Sequence, residues 1–296
     1  MRPYVDRRVD DHVGASEAAV QASKQWGLVA PELVRHGMNA IFRCGDVVLR
    51  VATPSAPAEV SLELAALLRS RGIAVPDAVR SAPLVLGAFS VTAWEHVVAD
   101  GREIDWKAVG TVVRAVHQLD VGDLPGGLPT PSPLDFPWWH HEQLLDEVDA
   151  LIDPPAKRGL EAAIERHVGW REFAPSDCVV CHGDVHPGNV IMSASGPVLL
   201  DWDLLCVAPR GWDHAPMMTW AERWGGSPGQ YADFALGSEW SAHGDRYGDA
   251  FAELRLVSAT LMRLRVARSH PAAMPEAQRR LAVWRGDPDA PAWQAQ

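Results

Sequence analysis

Between residues 181 and 203 the sequence concentrates polar groups that packing alone does not require: Cys181-His182-Gly183-Asp184-Val185-His186-Pro187-Gly188-Asn189-Val190-Ile191, then Val198-Leu199-Leu200-Asp201-Trp202-Asp203. Asp184 is a carboxylate able to take a proton from a hydroxyl. Asn189, five positions on, offers an amide oxygen, and Asp201 and Asp203 offer carboxylate oxygens. Transfer of a phosphoryl group to a hydroxyl needs this set, because the attacking oxygen must lose its proton while magnesium held by hard oxygen donors bridges the phosphates. The amide five residues after the base and a carboxylate one hairpin later are where such metal ligands belong.

These side chains need a frame. Cys178-Val179-Val180-Cys181 reads as a buried strand leading into the polar loop, and runs at 189–192 and 198–201 bracket a Ser193-Ala194-Ser195-Gly196-Pro197 turn. Upstream, 32–35, 40–43 and 47–51 read as three short strands joined by Gly37-Met38-Asn39 and by the hairpin signal Gly45-Asp46. After Pro54 and Pro57, Val60, Leu64, Leu67 and Leu68 recur at helical spacing and stop at Arg71-Gly72, with Pro76 beyond. An apolar strand over 88–98 completes what is expected to be a small mixed sheet crossed by one helix. Helices dominate thereafter. Val109, Val112, Val113 and Val116 share a face before His117, and 122–137 is a Pro/Gly-rich loop. Helices follow over 138–151 and 156–171 and from Asp213 to about Trp284, with a frayed tail at 286–296. The expectation is an α+β chain with a β-rich lobe over 1–96 and a larger helical lobe over 97–296.

The chain has 296 residues, and 27 Lys+Arg against 38 Asp+Glu give a net charge of −11. With 47% hydrophobic and 22% charged residues, its composition is globular, which excludes disorder as its theme. The acidity argues against a nucleic-acid track, which needs a basic face, and leans toward a cationic small molecule. Met1 to Val20 carries Arg2, Asp6, Arg7, Arg8, Asp10 and Asp11 without an apolar core, so it reads as no secretory signal. No run of about 18 apolar residues offers a membrane span, and a cytoplasmic location is expected. Oligomeric state leaves no mark. Of the four cysteines, Cys44, Cys178, Cys181 and Cys206, the CxxC pair lacks a second pair to complete a zinc tetrahedron and reads as strand core.

His182-Gly183-Asp184-Val185-His186-Pro187-Gly188-Asn189 with Asp201-Trp202-Asp203 resembles the aminoglycoside phosphotransferase family, which carries an HGDxHxxN loop and a following DxD or DxE on a bilobal protein-kinase-like fold. The resemblance implies Asp184 as catalytic base and His186 near the transferred phosphoryl group. It implies Asn189 and Asp201, with Asp203 beside them, as Mg²⁺ ligands, and ATP or GTP as donor. His182 and Asp213 become structural supports of the loop, Asp213 from a helix start that N-capping also favours. In the small lobe, Arg50 in Val48-Leu49-Arg50-Val51 stands where a third-strand lysine belongs, paired with Glu63 beneath the phosphates. Arginine can grip two phosphate oxygens, and strand alternation turns Val48 and Arg50 away from Val47, Leu49 and Val51, toward a cleft. Asn39 and the hinge residues Glu95, His96 and Val97 complete the expected nucleotide site.

Trp202, Trp212, Trp220, Trp224 and Trp240 follow the base in sequence, near Glu222, Glu239, Asp245 and Asp249. Aromatic plates with carboxylates suit an amine-bearing acceptor such as an aminoglycoside, another antibiotic or an amino sugar. Trp220 and Trp224, four apart on a helix, also read as core. The same scaffold serves kinases of choline-like and other small alcohols, because the site and not the fold sets the acceptor. Two other classes stay open. A metal-dependent hydrolase could use His182, Asp184 and His186 but leaves Asn189, Arg50 and Glu63 unexplained. A silent kinase-like binding module would have no need of the base and metal ligands.

Overall fold

In the computed structural model, which describes residues 6–294, the chain begins with β1 (Asp6–Arg7) and α1 (His12–Gln25), capped by the Asp11 carboxylate accepting from Gly14 N–H. β2 (Glu32–His36), β3 (Ala40–Cys44) and β4 (Val47–Pro54) form a meander, with Cys44 opposite Val47 across Gly45-Asp46. α2 (Val60–Ser70), β5 (Leu84–Leu86) and β6 (Phe89–Glu95) follow. The sheet order is β2-β3-β4-β6-β5 with β1 on the end of β4, and every pairing among the described residues is antiparallel. A mixed sheet with one helix is therefore corrected twice: the sheet is antiparallel, and α1 is a second helix. The buried face of α1 is Ala15, Ala18, Ala19 and Ala22, which repeat at helical spacing but carry little apolar area each. They pack on Phe42, Leu49, Val51, Val91 and Ala93, leaving Ile41, Val48 and Arg50 on the opposite face of the strands.

Beyond the sheet come α3 (Trp106–His117), α4 (His141–Val148), α5 (Pro154–Arg166), β7 (Cys178–Cys181), the hairpin β8 (Val190–Ser193) and β9 (Gly196–Leu199), and β10 (Cys206–Pro209), which pairs with β7. Four helices end the chain: α6 (Gly211–Arg223), α7 (Gln230–Ser238), α8 (Arg246–Ser269) and α9 (Met274–Arg285). No helix among the described residues is long and apolar enough to cross a membrane.

The chain packs as two units, and not by a single cut after residue 96. The first holds Met1–Asp105, Gln118–Pro131 and Pro187–Leu205; the second holds Trp106–His117, Ser132–His186 and Cys206–Gln296. The hairpin β8–β9 joins the first unit because Leu199 N–H donates to Ala74 O (3.4 Å) and Asp100 N–H donates to Met192 O (2.9 Å). The boundary thus falls inside the polar loop, after His186.

In the second unit α6 and α8 touch backbone to backbone, since a Cβ on Gly211 would collide with Gly248. Trp212, at the start of α6, is buried against Phe136, Trp139 and Phe251, with ring centroids 5.7, 4.5 and 5.1 Å away. The expected frayed tail is packed where it is described: Trp293 is 3% exposed and its N–H donates to Arg223 O at 2.5 Å. Arg280 lies over Trp224 and Trp293, 4.9 and 5.3 Å from their ring centres, and such cation–π contacts hold the tail in place. Residues 295 and 296 lie outside the described residues.

Candidate active site

The first unit contains a cavity of about 390 Å³. Apolar side chains from the strands and α2, among them Ile41, Val48, Leu64 and Leu68, line one part, and Asn39, Arg50, Asn189, Asp201 and Asp203 gather at another. An apolar slot with a few convergent polar groups is the form of a small-molecule site. Glu95, His96 and Val97 line it as well. The backbone N–H groups of Glu95 and His96 already donate to Asp77 O (2.7 Å) and Asp46 O (2.9 Å). Trp202, expected at the acceptor, lines this cavity and donates from Nε1 to Leu199 O at 3.2 Å.

Arg50 is the charged centre of the cavity, but its partner is not Glu63. Its Nη2 lies 2.6 Å from Asp6 Oδ2 and 2.5 Å from Asp203 Oδ1, and Nη1 reaches Ser61 Oγ at 3.5 Å. Helix phase explains the correction. Ser61, Leu64, Ala65 and Leu68 form the cavity face of α2, whereas Glu63, two residues after Ser61 and so about 200° around the helix, is exposed. Asp6 comes instead from β1, which pairs with the end of β4. Burial pushes the Asp6 carboxyl up to about 6 against the pull of Arg50. Burial opposes the charge on Arg50, yet Asp203 and Asp6 outweigh it and keep the guanidinium ionised.

The oxygen donors stand in different settings. Asp203 accepts from Arg50 at Oδ1 and from Asn39 Nδ2 at Oδ2 (2.8 Å), which ties the carboxylate expected among the metal ligands to the Arg50 network. Asp201 stands at φ 63, ψ 64, the left-handed region that costs a non-glycine residue roughly 1 kcal/mol or more, and its Oδ2 lies 3.5 Å from exposed Arg35. Asn189 is buried next to it, because its carbonyl accepts from Leu200 N–H at 2.9 Å. A carboxylate and an amide oxygen presented together fit a hard divalent cation.

The second unit holds the other half of the polar loop. Gly183 stands at φ +91, open to glycine, and this lets consecutive N–H groups converge on one carboxylate. His182 N–H donates to Asp213 Oδ2 (2.9 Å) and Gly183 N–H to Asp213 Oδ1 (2.7 Å). His182, fully buried, accepts Asp184 N–H at Nδ1 (3.2 Å), which ties the loop to itself. His117 Nε2 lies 3.0 Å from Asp213 Oδ2, and Cys181 Sγ lies 4.0 Å from the same nitrogen. This buried His117, Cys181 and Asp213 group has metal-ligating types, but both Asp213 oxygens already accept backbone donors, which makes it a brace.

That brace contributes to the pH dependence of folding. Burial disfavours the His117 imidazolium, but the hydrogen bond to Asp213 outweighs it and pushes its pKa up to about 9. A raised pKa stabilises fully below the unfolded value, about 6.5, and the contribution is lost as pH rises toward 9. His141 and His214 act oppositely, since burial pulls them down to about 4 and about 3. The unfolded chain then binds more protons below about 6.5, and stability falls on acidification. Thermal unfolding should therefore show greatest stability near pH 6.5. His117→Gln should flatten the alkaline limb, worth on the order of 3 kcal/mol, and an unchanged alkaline limb would contradict the assignment.

Asp184 is gripped on two sides. His186 Nε2 lies 3.4 Å from Oδ2, and Arg255 of α8 is ion-paired to Oδ1. Burial would raise the Asp184 carboxyl, but the His186 hydrogen bond and the Arg255 charge hold it well below the usual range. His186 stacks on Trp220 (5.5 Å, 8°), which stacks on Trp224 (5.4 Å, 16°). The other residues expected at an acceptor make local contacts. Trp212 is core, Trp240 packs on His214, and Glu222 is exposed beside Arg223. Glu239 pairs with Arg114, Asp245 caps α8, and Asp249 accepts from Gly244 N–H. Two residues not singled out from the sequence, Asp6 and Arg255, are direct partners of Arg50 and Asp184.

The family model described as "Phosphotransferase enzyme family" matches residues 39–250. No curated protein sequence matches. Similar folds include the AMP-bound spectinomycin phosphotransferase, with 14% identity and a TM-score of 0.68 over 92% of this chain and 98% of that one. A macrolide 2′-phosphotransferase from Brachybacterium faecium gives 19% and 0.58 over 92% and 99%. A choline/ethanolamine kinase family protein from Mesorhizobium loti gives 16% and 0.60 over 88% and 89%. At such identities these likenesses carry the α+β kinase-like fold alone. The family match, which spans most of the sheet and the whole polar loop, carries more: this chain belongs to the phosphotransferase enzyme family.

Proposed function

We propose that the protein transfers the γ-phosphoryl group of ATP or GTP to a hydroxyl of a small-molecule acceptor, with Asp184 as proton acceptor. The observation that carries this reading is the first-unit cavity, where an apolar slot meets Arg50, Asn189 and Asp201, groups able to hold phosphate and a divalent cation. The nucleobase would sit in the slot beside Glu95, His96 and Val97, which line it. Arg50 would bind phosphate oxygens while Asp6 holds it in place. Asn189 and Asp201 would hold Mg²⁺, which when bound neutralises phosphate charge. His186, kept flat against Trp220, would orient Asp184.

The acceptor classes that fit are antibiotics, as for the spectinomycin and macrolide enzymes of similar fold, and small alcohols of the choline type. An amine-bearing acceptor draws on the net charge of −11, whereas the carboxylates first expected to bind it are engaged in local contacts. Trp220 is stacked with His186 and Trp224, and Arg280 lies over Trp224, so these rings are engaged in local contacts as well. A nucleotide-consumption assay with Mg²⁺, ATP and GTP against spectinomycin, kanamycin, a macrolide, an amino sugar and choline tests the reading. Acceptor-dependent consumption is expected with one of them, and consumption independent of every acceptor would point to a hydrolase.

The Arg50 network makes a separate prediction. Arg50→Ala should raise the nucleotide KM by about 10- to 100-fold, the scale of a charge-assisted hydrogen bond, and leave the acceptor KM nearly unchanged. Asp6→Asn should act in the same direction more weakly, and Glu63→Ala should match the parent. Steady-state kinetics in which Glu63→Ala behaves like Arg50→Ala would restore the pairing that the structure replaces.

A further inference from the structure

We propose that Arg255 is a positioning residue of the phosphoryl-transfer site, which from α8 holds the Asp184 carboxylate in the orientation that receives the acceptor's hydroxyl proton. The inference rests on the reading that Asp184 is that proton acceptor. Arg255 lies in a stretch of α8 that is otherwise almost wholly buried, between Leu254 and Leu256, and is itself half-buried. Its own helix offers it no carboxylate: the residues three and four positions away are Ala252, Ser258, Phe251 and Ala259. Glu253, about 200° around the helix, turns the other way to Arg166 and His167. The guanidinium reaches instead to Asp184 Oδ1, 71 residues earlier in the chain.

The chemistry favours such a restraint. A carboxylate can turn about its Cβ–Cγ bond, and His186 Nε2 meets it at Oδ2 at 3.4 Å. A guanidinium on the other oxygen fixes the plane of the group. It also lowers the basicity of Asp184, an acceptable loss where the transition state is loose and the enzyme's contribution is mostly alignment. Arg255 approaches from α8, and His186 and His182 approach from the loop itself. The close contact of α6 with α8 at Gly211 and Gly248 sets the helix that carries Arg255 beside the helix that carries Asp213, the anchor of the loop.

Two measurements on Arg255→Ala and Arg255→Lys decide the matter. With whichever acceptor of the panel the parent phosphorylates, Arg255→Ala should lower kcat by about 10- to 100-fold with nucleotide KM nearly unchanged. Its acid limb should move to higher pH, and Arg255→Lys should recover part of the rate. An unchanged kcat, a rise in acceptor KM alone or a faster enzyme would each overturn the proposal, the last two by making Arg255 a substrate contact or an inhibitory latch. The second measurement needs no substrate: carbon-13 NMR titration of the Asp184 carboxyl, assigned with Asp184→Asn, should move up by about 1–2 pH units in Arg255→Ala. An unmoved titration overturns the pairing. If the parent phosphorylates nothing on the panel, the functional reading fails while the titration still decides the contact.

Discussion

Replacing Asp184 with alanine should lower kcat by about 10²–10⁴-fold, the usual worth of a positioned proton acceptor, and leave nucleotide binding close to the parent value. The separation follows from where the groups stand. Asp184 belongs to the second unit, on a loop anchored through His182 and Gly183 to Asp213, whereas the cavity with Arg50, Asn189 and Asp201 belongs entirely to the first. Loss of the Asp184 side chain removes partners of Arg255 and His186 without touching Arg50. Turnover measured alongside calorimetric nucleotide binding checks both halves. A variant that keeps more than about a tenth of the parent rate contradicts the role of Asp184 as base.

Asp201→Asn should have an effect of similar size on a different quantity. Nucleotide affinity in the presence of Mg²⁺ should fall roughly 100-fold, while affinity without the metal stays near the parent value. Asparagine is the right replacement because residue 201 occupies the left-handed region, which asparagine tolerates and alanine does not. The substitution then removes a negative oxygen with little change in backbone conformation. Equal loss of affinity with and without Mg²⁺ would make Asp201 a structural residue of the hairpin end and not a metal ligand.

The parts of the site that could be read from sequence are those whose partners are close along the chain. Asp184, His186, Asn189 and Asp201 lie on one loop and the hairpin after it, so spacing carries the chemistry. Strand alternation likewise places Arg50 on the cavity face of β4. What could not be read are contacts made across long separations: Asp6 meets Arg50 from 44 residues away and Arg255 meets Asp184 from 71. Glu63 is a different case, because resemblance to other kinases overrode a helix phase that was already visible in Ser61, Leu64 and Leu68. The tryptophans show the same limit. Composition marks them as a group, but Trp212 is core, Trp202 lines the cavity, and Trp220 stacks on His186. Helix α1 stayed hidden because alanines cover its buried face, and the family boundary between small and large lobes missed the return of β8 and β9 to the first unit.

The proposed function is transfer of a phosphoryl group from a nucleoside triphosphate to a small-molecule hydroxyl with Asp184 as proton acceptor. Its most direct test is mass spectrometry of the acceptor panel after incubation with Mg²⁺ and nucleotide labelled with oxygen-18 in the γ-phosphoryl group, run in parallel with the parent protein and Asp184→Ala. One acceptor should gain a single labelled phosphoryl group with the parent and almost none with the variant. Label released only as inorganic phosphate, or an acceptor phosphorylated equally by both proteins, would contradict it.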